Sequence, residues 1–172
     1  MNITKNKKGV SLVELVVYFA IIGIVLLAAM NFAVQVINSS ERSKNYNELQ
    51  GNIDFISNKI ISAIKSAESI NDANSLFDSD AGSLALDMHS PASTPVTFYI
   101  SDGDVYFAEG ISAEIKLNSD YTKVKLFRFH KVTYPKTPDQ IVMDIELEPV
   151  GVEYTGTHKD VSLHLSVSTR NL

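Results

Sequence analysis

The stretch Lys7-Lys8-Gly9-Val10-Ser11-Leu12-Val13-Glu14-Leu15, with the apolar run behind it, decides how this chain is organised. Three lysines precede Gly9, and the run from Leu15 to Ser40 contains no charged side chain. An uncharged run of this length is able to span a bilayer, with the preceding lysines on the cytoplasmic side. A carboxylate one turn into a membrane helix is costly unless it is paired, so Glu14 indicates a function.

The same stretch resembles the prepilin signal of the type IV pilin and pseudopilin superfamily, in which a short basic leader ends in glycine. In that family a membrane peptidase cuts after the glycine, and the new N-terminal amine is methylated. The resemblance implies cleavage between Gly9 and Val10, N-methylation of Val10, and an assembly role for Glu14. Ala20-Ile21-Ile22-Gly23-Ile24 also fits such signals, whereas Val10 stands where the family usually has Phe or Met.

Simple electrostatics agrees with this resemblance. Cleavage after Gly9 would place a cationic amine four residues from Glu14, at helical i, i+4 spacing. In a low-dielectric setting each charge needs the other, and Glu14 could pair with the amine of its own chain or with that of a neighbouring subunit. Pairing with a neighbour would set the stagger between subunits, because the wrong register buries unpaired charge. The alternative is an ordinary signal peptide or signal anchor that carries Glu14 by chance. Such signals are cut after the apolar region beside small residues, and Leu26-Leu27-Ala28-Ala29-Met30 offers no clean site of that kind.

Composition limits the classes of protein that fit. The 172 residues carry a net charge of −5, and loss of the three leader lysines would leave 12 basic against 20 acidic residues. This balance argues against nucleic acid as a general partner, because phosphate binding needs clustered Lys and Arg. The residues from Lys123 to Lys131 include four cations, which we interpret as a solvated strand face. Without cysteine, an exported domain depends on its own core for stability.

Hydrophobic spacing predicts a long N-terminal helix in two halves, a membrane and assembly half over residues 10–37 and an amphipathic half over residues 38–69. Asn31 stands where many major pilins have a helix-disturbing proline, so the helix should be unbroken. Gly51 suggests a bend or a close contact. The apolar stripe of the second half should pack on a sheet, and a coiled coil with a partner is the alternative. That stripe contains Leu49, Ile53, Ile56, Ile60, Ala63, Ile64 and Ala67.

Residues 70–172 read as a soluble, β-rich globular domain. Alternating apolar residues predict strands around residues 84–88, 96–100, 105–107, 141–147 and 161–167, with a weak strand at 115–117. Asp102-Gly103 between two alternating runs predicts a hairpin. The strand Val124–Val132 has no clear parity, because Leu126 and Phe127 would point to opposite faces. The expected fold class is α+β, with the helix on one side of an antiparallel sheet, as in pilins.

The chain ends in Val167-Ser168-Thr169-Arg170-Asn171-Leu172. An apolar strand that closes in such a tail resembles the C-termini of J-type minor pseudopilins and W-like minor pilins. This second resemblance implies a minor, initiating or tip-proximal subunit rather than the bulk filament subunit.

No catalytic or cofactor motif was found, so we expect no enzyme activity, cofactor or metal. The four histidines lack zinc-site spacing, and His158-Lys159-Asp160 with His164 gives only weak evidence for a metal site. Asp78-Ser79-Asp80 begins like a calcium loop but lacks the later acidic ligands.

The sequence thus predicts a structural subunit of a type IV pilus, a type II secretion pseudopilus or a competence pseudopilus. Its expected partners are the prepilin peptidase and N-methyltransferase, other pilin-like subunits, the assembly platform and the cytoplasmic membrane. We expect one membrane pass with the C-terminal domain outside the cytoplasm, and later a place in the filament. Two other classes remain open: a pilus-associated adhesin or DNA-binding module with exposed tyrosines (Tyr99, Tyr106, Tyr121, Tyr134), and a signal-anchored exported binding protein or enzyme.

Overall fold

A computed structural model describes residues 11–135, 137–150 and 160–169. Gly9, Val10, His158 and the Arg170-Asn171-Leu172 end of the chain lie outside the described residues. The chain divides into two compact units, residues 1–44 and 45–172, and each is described by itself below.

A single helix, α1, runs from Leu12 to Ser66 and passes through Asn31 without a break, as predicted. It ends three residues before the predicted end at Ser69. Ala67–Ile70 instead forms strand β1, which pairs antiparallel with Leu86–Met88. Pairing with a distant strand therefore overrides the helical spacing that places Ala67 in the apolar stripe.

The first sheet has five antiparallel strands in the order in which they occur along the chain. Its members are β1 (Ala67–Ile70), β2 (Ser83–Met88), β3 (Val96–Ser101), β4 (Asp104–Glu109) and β5 (Ile115–Lys116), with a 3₁₀ turn at Pro91–Ser93. The predicted hairpin joins β3 to β4 through Asp102 and Gly103, whose φ angles are 51° and 76°. Positive φ at both central residues is what a type I′ hairpin turn requires, which explains the Asp-Gly pair.

The second sheet has three antiparallel strands, β6 (Thr122–Val132), β7 (Gln140–Pro149) and β8 (Val161–Ser168). The unclear parity of β6 has a structural cause, since its register with β7 shifts between Val124 and Leu126. This irregularity returns Phe127 and Phe129 to the buried face on which Val124 also lies. An extra residue in one strand of a pair has this effect.

The structure has two sheets where the sequence predicted one, and the segment before β2 joins them. The amide of Gly82 donates to the carbonyl of Phe127 at 2.7 Å, and the amide of Phe127 donates to the carbonyl of Asp80 at 2.9 Å. A Cβ atom at Gly82 would lie 3.0 Å from the carbonyl oxygens of Leu76 and Phe127. Only a residue without a side chain fits this approach comfortably.

The core lies between the second half of α1 and the sheets. Buried helix residues belong to one cluster with the buried residues of β2 to β4 and β6 to β8. The stripe members Leu49, Ile53, Ile56, Ile60, Ala63 and Ile64 are all buried. The predicted α+β class, with a long N-terminal helix packed on antiparallel strands, is therefore confirmed. A Cβ atom at Gly51 would have no neighbour within 4 Å, so no close contact with the described residues explains this glycine.

Candidate functional site

The candidate site from the sequence is the start of α1. Leu12 is the first helical residue, and the amide of Leu15 donates to the carbonyl of Ser11 at 3.1 Å. Glu14 is exposed in the first helical turn. A carboxylate at this end of a helix is favoured by the partial positive charge of the free backbone amides. Gly9 and Val10, the other two predicted site residues, precede the described part of the chain.

The apolar run after Glu14 is uncovered along its whole length. Every large apolar side chain from Leu12 to Ile37 is at least 49% exposed. This segment belongs to the one helix, among those described, that is long and apolar enough to cross a membrane. Single exposed apolar residues are common, but a continuous surface of this size marks contact with lipid or protein.

The cations of strand β6 do not form a free basic patch. Lys123 lies 2.9 Å from Asp104, and Lys131 lies 2.7 Å from Asp72 and 3.1 Å from Asp139. Lys125 and Arg128 are paired in the same way, the first with Glu146 and Asp160 and the second with Asp80. The neighbouring carboxylates neutralise this face, which favours the solvated-strand interpretation over phosphate binding.

Asp104 is the most deeply buried of the carboxylates that pair with the cations of β6. Burial alone would raise the pKa of its carboxyl, but hydrogen bonds from Asn118, Lys123 and Lys116 outweigh that effect and hold the pKa below its usual value. The amide nitrogen of Asn118 donates to Asp104 at 2.9 Å, and the amide oxygen of Asn118 accepts from the Val105 amide at 2.8 Å. These contacts fix the loop after β5 against the β3–β4 hairpin.

The tyrosines proposed as evidence for a binding module do not all share one site. Tyr99 and Tyr106 stack across β3 and β4 with ring centroids 5.6 Å apart. A hydrogen bond to Glu114, together with burial and charge repulsion, raises the pKa of Tyr99 to about 12. Tyr121 instead lines a small pocket of about 50 Å³ beside Glu48. The stacking of Tyr99 on Tyr106 is an ordinary cross-strand contact that stabilises a sheet.

Two histidines lie on the outer face of the second sheet. His130 contacts Asp78 and lies 3.8 Å from Asp144, and His164 also contacts Asp144. Within the described residues, no group of three or more His, Cys, Asp or Glu side chains is arranged to hold a metal ion. Asp78 and Asp80, which begin the calcium-like loop, pair with His130 and Arg128 of the protein itself.

Comparison with known proteins bears on the N-terminal segment alone. A family model described as the prokaryotic N-terminal methylation motif matches residues 4–30. This range includes Gly9, Val10 and Glu14, and it supports a type IV pilin-like signal at the start of this chain. No curated protein and no solved structure matches the chain.

Proposed function

We propose, from the pilin-like signal as premise, that this chain is a structural subunit of a type IV pilus or of a related secretion or competence pseudopilus. The observation that carries the proposal is the methylation motif at residues 4–30, which opens a helix whose apolar half is uncovered in the single chain. Such a helix exchanges lipid for the helices of other subunits without contacting water.

The proposed precursor is anchored in the cytoplasmic membrane by residues 10–37, with residues 1–9 as a cytoplasmic leader. A prepilin peptidase cuts between Gly9 and Val10, and the same class of enzyme methylates the amine of Val10. Residues 38–66 carry the helix out of the membrane, and the β-rich part of the chain from Ala67 onward lies outside the cytoplasm.

Glu14 sets the position of the subunit along the filament in this proposal. It is the only charged side chain between Ser11 and Ser40. The effective penalty for removing a charge from water is several kcal/mol, and an opposite charge at hydrogen-bond distance offsets it. In this proposal Glu14 pairs with the methylated amine of a neighbouring subunit rather than with that of its own chain, and this pairing is possible in one register only.

We assign the chain as a minor subunit of the filament rather than as the major subunit. Support comes from the unbroken helix at Asn31 and from the resemblance of its C-terminal residues to minor pseudopilins and minor pilins. The globular unit then meets neighbouring subunits and the assembly platform. Nucleic acid is not a proposed partner, because the cations of β6 are already paired with carboxylates.

The test compares Glu14→Gln with Glu41→Gln in the native cell. Glu41 is the next carboxylate along the helix and is also exposed, so it controls for the loss of one negative charge. We expect both variants to be processed at Gly9. Only for Glu14→Gln should the amount of the subunit in the sheared filament fraction fall, by at least about tenfold, which is the ratio that corresponds to ~1.4 kcal/mol of lost pairing energy. Equal incorporation of the two variants would refute the role in register.

A further inference from the structure

Strand β8 exposes one row of backbone hydrogen-bonding groups. It is the terminal strand of the order β6-β7-β8, and no strand among the described residues pairs with its outer edge. The amide of Thr169 donates to the carbonyl of Asp139 at 2.9 Å, in register with the β7–β8 ladder. Because antiparallel pairs alternate, Ser162, His164 and Ser166 direct their amides and carbonyls away from β7.

Among the residues that the structure describes, this edge lacks the features that protect other edges of the protein. Val161–Ser168 contains no Lys, Arg, Asp, Glu, Pro or Gly. By contrast, β5 has only two residues, β1 carries Glu68, and the outer edge of β6 is bonded to residues 80–82. Natural proteins shorten, charge or cover the edge strands that must stay unpaired. An eight-residue neutral edge is therefore suited to pairing.

The core side of β8 is also incompletely covered at its centre. Val161 and Val167 are buried at the two ends, whereas Leu163 and Leu165 between them are only partly buried. A further strand beside β8 would place apolar side chains next to the two leucines and complete this part of the core.

We infer that the free edge of β8 accepts an extended strand of a neighbouring pilin-like subunit, a contact that rests on the proposed function. Main-chain pairing would provide the affinity, and a side chain beside Leu163 and Leu165 would provide the selectivity. Membrane anchoring holds subunits side by side at high effective concentration, so a weak edge contact suffices.

The partner strand belongs to another part of the neighbour and is not its β8. Pairing β8 with β8 in antiparallel fashion creates a two-fold axis between the subunits. A two-fold contact uses the same β8 edge on both subunits, so it closes after two subunits and leaves no β8 edge for a third. The contact is therefore heterologous, as a growing filament requires.

The first experiment replaces one outward amide. Ser166→Pro removes a donor that faces away from β7, and an edge strand tolerates proline where the amide faces solvent. Ser166→Ala keeps that donor and serves as the matched control. We expect both variants to be processed and to unfold at similar temperatures, and only Ser166→Pro to fall at least fivefold in sheared filaments. Equal incorporation would overturn the inference.

A second experiment identifies the contact directly. The chain has no cysteine, so Ser166→Cys introduces a single site for a maleimide–benzophenone probe. Illumination of labelled cells should link position 166 to a different subunit that carries its own prepilin signal, identified from the cross-linked peptides. A link to residues of the same chain, a link between two copies through β8, or no link would each overturn the inference.

The two proposals fail in different ways. If the chain keeps residues 1–9 and stays out of filaments, the proposed function itself fails. If it is processed and incorporated while Ser166→Pro behaves as Ser166→Ala, only the β8 contact fails.

Discussion

The packing of α1 makes a quantitative prediction at Ile56. Its side chain is fully buried in the core cluster between helix and strands, whereas the adjacent Phe55 is 55% exposed. Ile→Ala in a core costs about 2–5 kcal/mol through lost burial and the cavity left behind, and the better helix propensity of Ala returns only a few tenths. We expect Ile56→Ala to lower the free energy of unfolding by about 3 kcal/mol.

The assay is thermal and urea unfolding of the full chain in detergent micelles. The chain has seven tyrosines and no tryptophan, so near-ultraviolet circular dichroism reports the tyrosine environment of the globular unit. A loss of about 3 kcal/mol corresponds to a fall of roughly 10 °C in Tm for a domain of this size.

Phe55→Ala provides the matched control, since it removes a larger side chain from the neighbouring position. Its effect should stay within about 0.5 kcal/mol, as for other exposed sites. A larger loss with Phe55→Ala than with Ile56→Ala would refute the assigned face. It would instead place the core on the side of the helix that bears Phe55.

Two further predictions concern stability. Gly82→Ala should lower the free energy of unfolding by about 1–3 kcal/mol, because the new Cβ atom would approach two backbone oxygens at 3.0 Å. Gly51→Ala, in open space on the helix, should raise the free energy of unfolding by about 1 kcal/mol. The midpoints of denaturant unfolding measure both effects. The lowered pKa of Asp104 means that its contribution is complete above its unfolded pKa and is lost as the pH falls through the lower folded value. The Asp104→Asn variant should therefore be less stable than the unaltered protein at pH 7, and it should lose less stability when the pH falls below about 4. An equal loss of stability in acid in both proteins would contradict the role given to the Asp104 carboxylate.

Short-range patterns made much of the fold predictable. The stripe from Leu49 to Ile64 and the strand Ile141–Leu147 each repeat at one period, so sequence spacing alone identifies the buried face. The Asp102-Gly103 turn was equally local, because its backbone angles restrict the residues that fit.

Long-range pairing decided the features that were missed. Ala67–Ile70 forms a strand only because β2 lies beside it, and the register shift near Lys125 depends on the partner β7. The division into two sheets depends on the approach of Gly82 to Phe127, residues far apart in sequence. The candidate site was predictable from the sequence because its leader, glycine and carboxylate lie within one short segment. The free edge of β8 was not predictable from the sequence, because an edge is defined by the strand order of the whole sheet.

The most direct test of the account is the intact mass of the protein purified from its native membrane, with sequencing of the N-terminal peptide. The account predicts a chain that begins at Val10 and carries one methyl group on its amine. A chain that begins at Met1, or one that begins after the apolar run, would contradict it.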